Sequence, residues 1–125
     1  MSTILIVEDN DKNMKLVRDI LQHHGHRTLE AVTGEDGVRL AVEQRPDLVL
    51  MDIQLPDING IEALARIRAR PELDAVPVLA VSASVMPDEQ RRIVDSGFDA
   101  YLTKPISVKP FVATVQRFLQ DGRAR

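Results

Sequence analysis

The chain has 125 residues, 44% hydrophobic and 28% charged, enough for one domain with a real core and too little for two. Aromatics are only 3%, so Val, Leu, Ile and Ala must build that core; cysteine is absent, which excludes disulfides and thiol chemistry and suits the cytoplasm. A net charge of -3 makes no electrostatic case for nucleic acid or an anionic membrane, no apolar stretch is long enough to cross a bilayer, and "MSTILIVEDN" turns acidic too early for a signal peptide.

Strands and helices are expected to alternate from end to end. "TILIV" (3–7) reads as a buried strand, and Met14, Val17, Ile20 and Leu21 then recur at helical spacing until Gly25 supplies a C-terminal stop. "RTLEAV" (27–32) alternates weakly and reads as a less buried strand. Thr33 is placed to cap a helix with Val38, Ala41 and Val42 inward, which Pro46 forbids from continuing. "LVLMD" (48–52) is a third strand, apolar on both faces. A helix from about Asn59 follows, with Ile61, Leu64, Ala65 and Ile67 as its inner stripe. "VPVLAVSA" (76–83) is a fourth strand, Pro87 starts a helix that runs to Gly97, and "DAYLTK" (99–104) is a fifth strand. Ser107 caps a last helix with Phe111, Val115, Phe118 and Leu119 on one face, and the tail from about 121 to 125 is expected to fray. Five strands alternating with five helices imply one doubly wound α/β domain over 1–125, a parallel sheet covered on both faces. The starting Met and the charged tail suggest a complete chain.

Open parallel sheets bind ligands beyond the carboxyl ends of their strands. Read to those ends, the first strand stops at Glu8-Asp9, the third at Asp52, the fourth at Ser82 and the fifth at Lys104-Pro105, whereas the second, in "EAVTG", adds nothing. Carboxylates gathered there repel one another by roughly 4 kcal/mol per pair at about 4 Å and an effective dielectric near 20. Either some stay protonated, or a divalent cation fills the gap. An all-oxygen site without Cys or a tip His suits Mg²⁺, with Mn²⁺ as the alternative, rather than zinc. Beside such a metal an Asp can act as a nucleophile and form an acyl phosphate, with Lys104 neutralising the transferred charge and Ser82 donating to a phosphate oxygen.

In "ILIVEDN", "LVLMDIQLPDINGIEALARIR", "VPVLAVSAS" and "AYLTKPI", in this order and spacing, the chain resembles the receiver domain of two-component response regulators over essentially its full length. The resemblance implies a flavodoxin-like (βα)5 fold, strand order 2-1-3-4-5, and Asp52 as phosphoacceptor. It implies Mg²⁺ held by Asp9, Asp52, the backbone carbonyl of Gln54 and, through water, Glu8. Lys104 would contact the phosphoryl group and precede a cis peptide to Pro105. Ser82 and Tyr101 would form the switch pair, and Gln54 and Ser84 would tune dephosphorylation. "MDIQLPDINGIEAL" and "YLTKPISVKPF" further resemble stand-alone receivers of the DivK type.

The expectation is therefore a signalling switch that catalyses its own aspartyl phosphorylation and dephosphorylation without being a metabolic enzyme. A sensor histidine kinase or a histidine phosphotransfer protein would supply the phosphoryl group. Output would pass to a downstream protein through the last two helices and strand five, with no DNA-binding segment, nucleic acid or membrane. A haloacid-dehalogenase-type phosphatase would want an acid where Gln54 stands, and a degenerate scaffold would not keep Glu8, Asp9, Asp52, Ser82 and Lys104 together. The clustered His23, His24 and His26 are read as a helix end without a fourth zinc ligand, and Arg66, Arg68 and Arg70 as a solvated surface.

Overall fold

A computed structural model describes residues 2–83 and 86–123. Five strands, β1 (Thr3–Val7), β2 (Arg27–Ala31), β3 (Leu48–Asp52), β4 (Val78–Ser82) and β5 (Ala100–Thr103), form one sheet in the order β2-β1-β3-β4-β5, every pair parallel. The helices are α1 (Asp11–His23), α2 (Gly34–Gln44), α3 (Gly60–Arg68), α4 (Pro87–Asp95) and α5 (Val108–Asp121). This is the doubly wound (βα)5 architecture expected from the strand–helix alternation.

Alternation along the strands divides the core in two. Leu5, Val7, Val49, Met51, Val78 and Ala80 face α2, α3 and α4, meeting Ala41, Ala63, Leu64, Ile67 and Ile93. Ile4, Ile6, Leu48, Leu50, Leu79 and Val81 face the opposite way, against Met14, Val17 and Leu21 of α1 and Phe111, Val115 and Phe118 of α5. The central strands are therefore buried on both sides and read as unbroken apolar runs, while β2 and β5, at the edges, are only partly covered. Thr33 caps α2 by accepting from the Asp36 N–H at 3.1 Å, and Pro87 opens α4. Gly25 follows α1 at φ +85°, in the left-handed region that an L side chain rarely enters.

Several local expectations are corrected. In α3 it is Ala63 and not Ala65 that faces the core; Ala65 is exposed. Ser107 stands at the N-cap of α5 but its hydroxyl makes no capping bond. β4 begins at Val78 and not Val76, because "RPELDA" folds a 3-10 turn, Pro71–Leu73, which buries Leu73 and turns the Val76 N–H back to the Leu73 carbonyl at 3.1 Å. Helix α4 ends at Asp95, short of Gly97.

The largest correction lies at the amino ends of β4 and β5. Arg66 and Arg70 are surface residues, as expected, but Arg68 is turned inward. It donates to the carbonyls of Leu73 and Val76 at 3.0 and 2.8 Å and to Asp99 at 3.2 Å. The Asp99 carboxylate is buried and accepts also from the Val78 N–H (2.9 Å) and from Arg123 Nε (3.0 Å). Asp121 closes α5 and Arg123 is tied to Asp99 and the Asp74 carbonyl, so the tail is held as far as Arg123. His26 likewise lies beyond the helix end; burial lowers its imidazole pKa, and its Nδ1 has no hydrogen-bond partner among the described residues.

Candidate functional site

Strand register assembles the site. Val7 stands opposite Met51, which sets Glu8 beside Asp52, and Ser82 stands opposite Thr103, which sets Ser82 beside Lys104. The Lys104 N–H donates to the Ser82 carbonyl at 2.9 Å, and the Lys104–Pro105 peptide is cis. The apolar strands thus act as rigid mounts that deliver polar side chains to one rim, and Glu8, Asp52 and Ser82 are the buried polar residues there.

A cleft of about 470 Å³ opens on this rim, lined among others by Glu8, Asp9, Asp52, Gln54, Ser82 and Lys104. One carboxylate oxygen from each of Glu8, Asp9 and Asp52 lies within 4.8 Å of the others. Asp9 is exposed while Glu8 and Asp52 are buried. The spacing and the all-oxygen donor set fit a hard divalent cation such as Mg²⁺, and the solvent-facing side leaves room for water and phosphate oxygens. The metal expectation therefore passes on chemistry. Tyr101 does not line the cleft; it lies on β5, half-buried against the core under α2, α3 and α4. Ser84 lies outside the described residues.

Protonation and a cation were the two expected answers to the repulsion among these acids. The structure adds a third. Lys104 Nζ reaches between them, 2.8 Å from Glu8 Oε1 and 3.1 Å from Asp52 Oδ2. Burial pushes the Glu8 carboxyl above its ordinary value; the Lys104 bond pulls the other way and Asp52 adds to the rise. Burial alone would lower the Lys104 ammonium, but the bonds and charges of Glu8 and Asp52 outweigh it and raise its pKa. The two directions agree physically: one cation shared by two anions is well compensated, whereas each anion has half a partner and an anionic neighbour.

The loop from β3 to α3 is held at several points. The Gln54 N–H donates to Asp52 Oδ1 at 3.2 Å, fixing the carboxylate from below, and the Gly60 N–H returns to the Ile53 carbonyl at 2.8 Å. A side chain at Gly60 would force the backbone to shift, because a Cβ there would run into the Asp52 carbonyl and come within 2.9 Å of Ile53 Cα. Asn59 caps α3 by accepting from the Glu62 N–H at 2.8 Å. The Asp57 carboxylate reaches across to α2 and accepts from the N–H groups of Gly34 (2.8 Å) and Glu35 (2.9 Å). The Glu35 bond leads the causes that hold its pKa below the ordinary 3.8. The end of the second strand was expected to add nothing obvious; the first turn of the helix that follows it supplies this anchor.

Comparison with known proteins follows the same lines. The family model described as response regulator receiver domain matches residues 4–116. The polar-differentiation response regulator DivK of Brucella anthropi is 44% identical over 120 residues, covering 96% of this chain and 98% of the relative, and that of Brucella ovis is 43% identical over the same span. Among solved structures, the receiver domain of a sensor histidine kinase from Pseudomonas aeruginosa PAO1, with a magnesium ion coordinated in its active-site cleft, is 32% identical. It superposes with a TM-score of 0.90, covering 96% of this chain and 98% of that one. The signal receiver domain of a histidine kinase from Syntrophus aciditrophicus is 28% identical at a TM-score of 0.88, covering 96% and 91%.

Proposed function

The chain belongs to the response regulator receiver domain family, and from that premise we propose that it is a phosphorylation switch whose phosphoacceptor is Asp52. The observation that carries the reading is the Lys104 ammonium held between Glu8 and Asp52 inside a cluster of three acids at the strand tips.

In this reading an Asp52 carboxylate oxygen attacks the phosphorus of a phosphohistidine on a sensor kinase or histidine phosphotransfer protein. The P–N bond breaks as the O–P bond forms, and the imidazole keeps the electron pair and takes a proton from solvent. Asp9, Asp52 and the Gln54 carbonyl would hold Mg²⁺, with Glu8 acting through water, and the ion would supply positive charge to the phosphoryl oxygens. Lys104 follows the charge as it moves from Asp52 onto the phosphoryl group, and its pairing with Glu8 keeps it at the rim meanwhile. The Ser82 hydroxyl donates to a phosphoryl oxygen, and Tyr101 turns further into the half-buried space it occupies. Water later cleaves the acyl phosphate, at a rate tuned from Gln54 and Ser84.

The chain catalyses its own modification and is a cytoplasmic signalling module, not a metabolic enzyme. Its output is a changed surface on α4, β5 and α5, where Val94 and Val108 are already exposed, read by a downstream protein and not by nucleic acid or a membrane. Among the described residues no helix is long and apolar enough to cross a membrane.

With Mg²⁺ and acetyl phosphate, intact mass should show one added phosphoryl group on the wild type and none on Asp52→Asn. Equal labelling of the two would remove Asp52 from the reaction.

A further inference from the structure

The Asp57 carboxylate is not part of the cleft, yet it makes the longest-range polar tie of the loop that carries Gln54. Its two oxygens accept from consecutive N–H groups at the start of α2, more than twenty residues earlier in the chain. Those groups belong to the first turn of the helix, where the N–H groups have no intrahelical partner, and a carboxylate there meets the positive end of the helix dipole. The same turn is already capped by Thr33 through the Asp36 N–H, so Asp57 is not needed merely to start the helix. The loop is pressed onto α2 as well: a Cβ at Gly34 would lie 2.5 Å from Ile58 Cγ1, so the bare glycine backbone is what lets Ile58 and Asp57 approach. At its other end the loop closes through the Gly60 N–H to the Ile53 carbonyl.

We infer that Asp57 is a positioning residue: by clamping the β3–α3 loop to the α2 N-terminus it holds the Gln54 carbonyl in place for the divalent cation. The inference rests on the metal role proposed above for Gln54. Residues 53 to 59 lie between two fixed points, the β3 tip and the α3 cap. Besides the clamp they are restrained by the Gln54 N–H bond to Asp52 Oδ1, the Gly60 closure, the Asn59 cap and the apolar contacts of Ile53, Leu55 and Ile58, none of which ties the loop to α2 through a polar group. A carbonyl ligand has no side-chain freedom with which to correct its own position, so loop displacement passes directly into the metal geometry.

The test compares Asp57→Ala, Asp57→Asn and Thr33→Ala with the full-length wild type, using Mg²⁺ alone as the probe. Thr33→Ala removes a bond from the same helix turn without touching the loop. Asp57→Ala is expected to weaken Mg²⁺ binding about tenfold, the low end for a group that orients a ligand. Thr33→Ala should leave the affinity unchanged, and Asp57→Asn, which keeps one acceptor oxygen, should fall between. In the metal-free protein Asp57→Ala should also speed amide hydrogen exchange at Gly60, which a loss of helix capping alone would not do. Wild-type affinity in Asp57→Ala, or equal weakening in Thr33→Ala, would overturn the positioning role. Should Asp57→Ala not fold, Asp57→Asn decides by the same comparison. No Mg²⁺ binding by the wild type would overturn the metal reading and this role with it, while unchanged Gly60 exchange would overturn the clamp alone.

Discussion

Replacing Lys104 by Met should destabilise the metal-free protein by about 3 kcal/mol or more, whereas Asp52→Asn should leave it as stable as the wild type or more so. One carboxylate oxygen of Glu8 lies within 4.8 Å of one of Asp52. At an effective dielectric of about 20 that separation corresponds to at least roughly 3.5 kcal/mol of repulsion. The ammonium at 2.8 and 3.1 Å returns about 6 and about 5 kcal/mol on the same scale, before the cost of drying a lysine that is mostly buried. Removing the shared partner of buried charges typically costs about 3–5 kcal/mol after that offset. Met keeps most of the stem's apolar packing, so the loss reports the charge. Asp52→Asn instead relieves the repulsion, keeps the Glu8–Lys104 pair, and retains an oxygen that can accept from the Gln54 N–H. Urea denaturation in EDTA near neutral pH, followed by far-UV circular dichroism, measures both variants. The Lys104→Met deficit should shrink at acid pH, because Glu8, already pushed up by burial, then protonates and ceases to repel. A Lys104→Met protein within about 1 kcal/mol of wild type, or an Asp52→Asn protein equally damaged, would refute the compensation.

Mg²⁺ at a hundredfold excess over its dissociation constant should stabilise the wild type by about 2.7 kcal/mol, seen as a raised Tm in calorimetry, and Asp52→Asn should blunt the rise. Gly60→Ala gains at most about 1 kcal/mol of helix propensity, but its Cβ meets the Asp52 carbonyl and Ile53 Cα, backbone that cannot swing aside. Overpacking of about 1–3 kcal/mol should win, giving a lower denaturation midpoint and slower labelling by acetyl phosphate. Because the folded pKa of Asp57 is depressed, its contribution is complete above the ordinary 3.8 and is lost as pH falls through the lower folded value. The stability gap between wild type and Asp57→Asn in acid denaturation should therefore close over that range, and a gap that widens would reverse the sign of the linkage. Asp99→Ala leaves the half-buried guanidinium groups of Arg68 and Arg123 without their shared carboxylate and should cost about 3 kcal/mol, the low end for breaking a buried pair, while acetyl phosphate labelling of the folded fraction stays at the wild-type level.

The strands were legible because burial on both faces leaves an unmistakable mark. Leu48 to Met51 and Val78 to Val81 are unbroken apolar runs, and each apolar run points to a polar residue at its carboxyl end. That is why Glu8, Asp52, Ser82 and Lys104 could be gathered from the sequence with no knowledge of distance. Periodicity was less decisive in α3, where Ala63 and Ala65 differ only by which face the helix turns inward, and two small apolar residues carry too weak a signal to choose. The 3-10 turn at Pro71–Leu73 was hidden for a related reason: three residues are too few to show a period, and Val76 and Pro77 extended the β4 pattern backwards.

What escaped the sequence was pairing across long separations. Arg68 sits among surface arginines and has their composition; only the fold reveals a buried Asp99 within its reach. Lys104 was correctly placed at the rim but assigned to the phosphoryl group alone. Charge counting shows that three acids need compensation; it does not show that a lysine stem from β5 is long enough to supply part of it before any metal arrives. The Asp57 clamp was missed in the same way, since an aspartate after a proline in "LPDING" reads as a turn residue. Its role depends on α2 beginning with a glycine small enough to admit Ile58 and expose two N–H groups. These three carboxylate partnerships share one physical character: the strands decide where the chain ends up, and the long or displaced side chains then find partners that no local pattern encodes. The rim is therefore strongly constrained before metal or phosphate is added, with Lys104 holding the acids together from one side and Asp57 holding their loop from the other. Under the proposed function, a phosphoryl group on Asp52 would redistribute the charge that Lys104 now shares between Glu8 and Asp52, and that redistribution is the local change from which a switch would start.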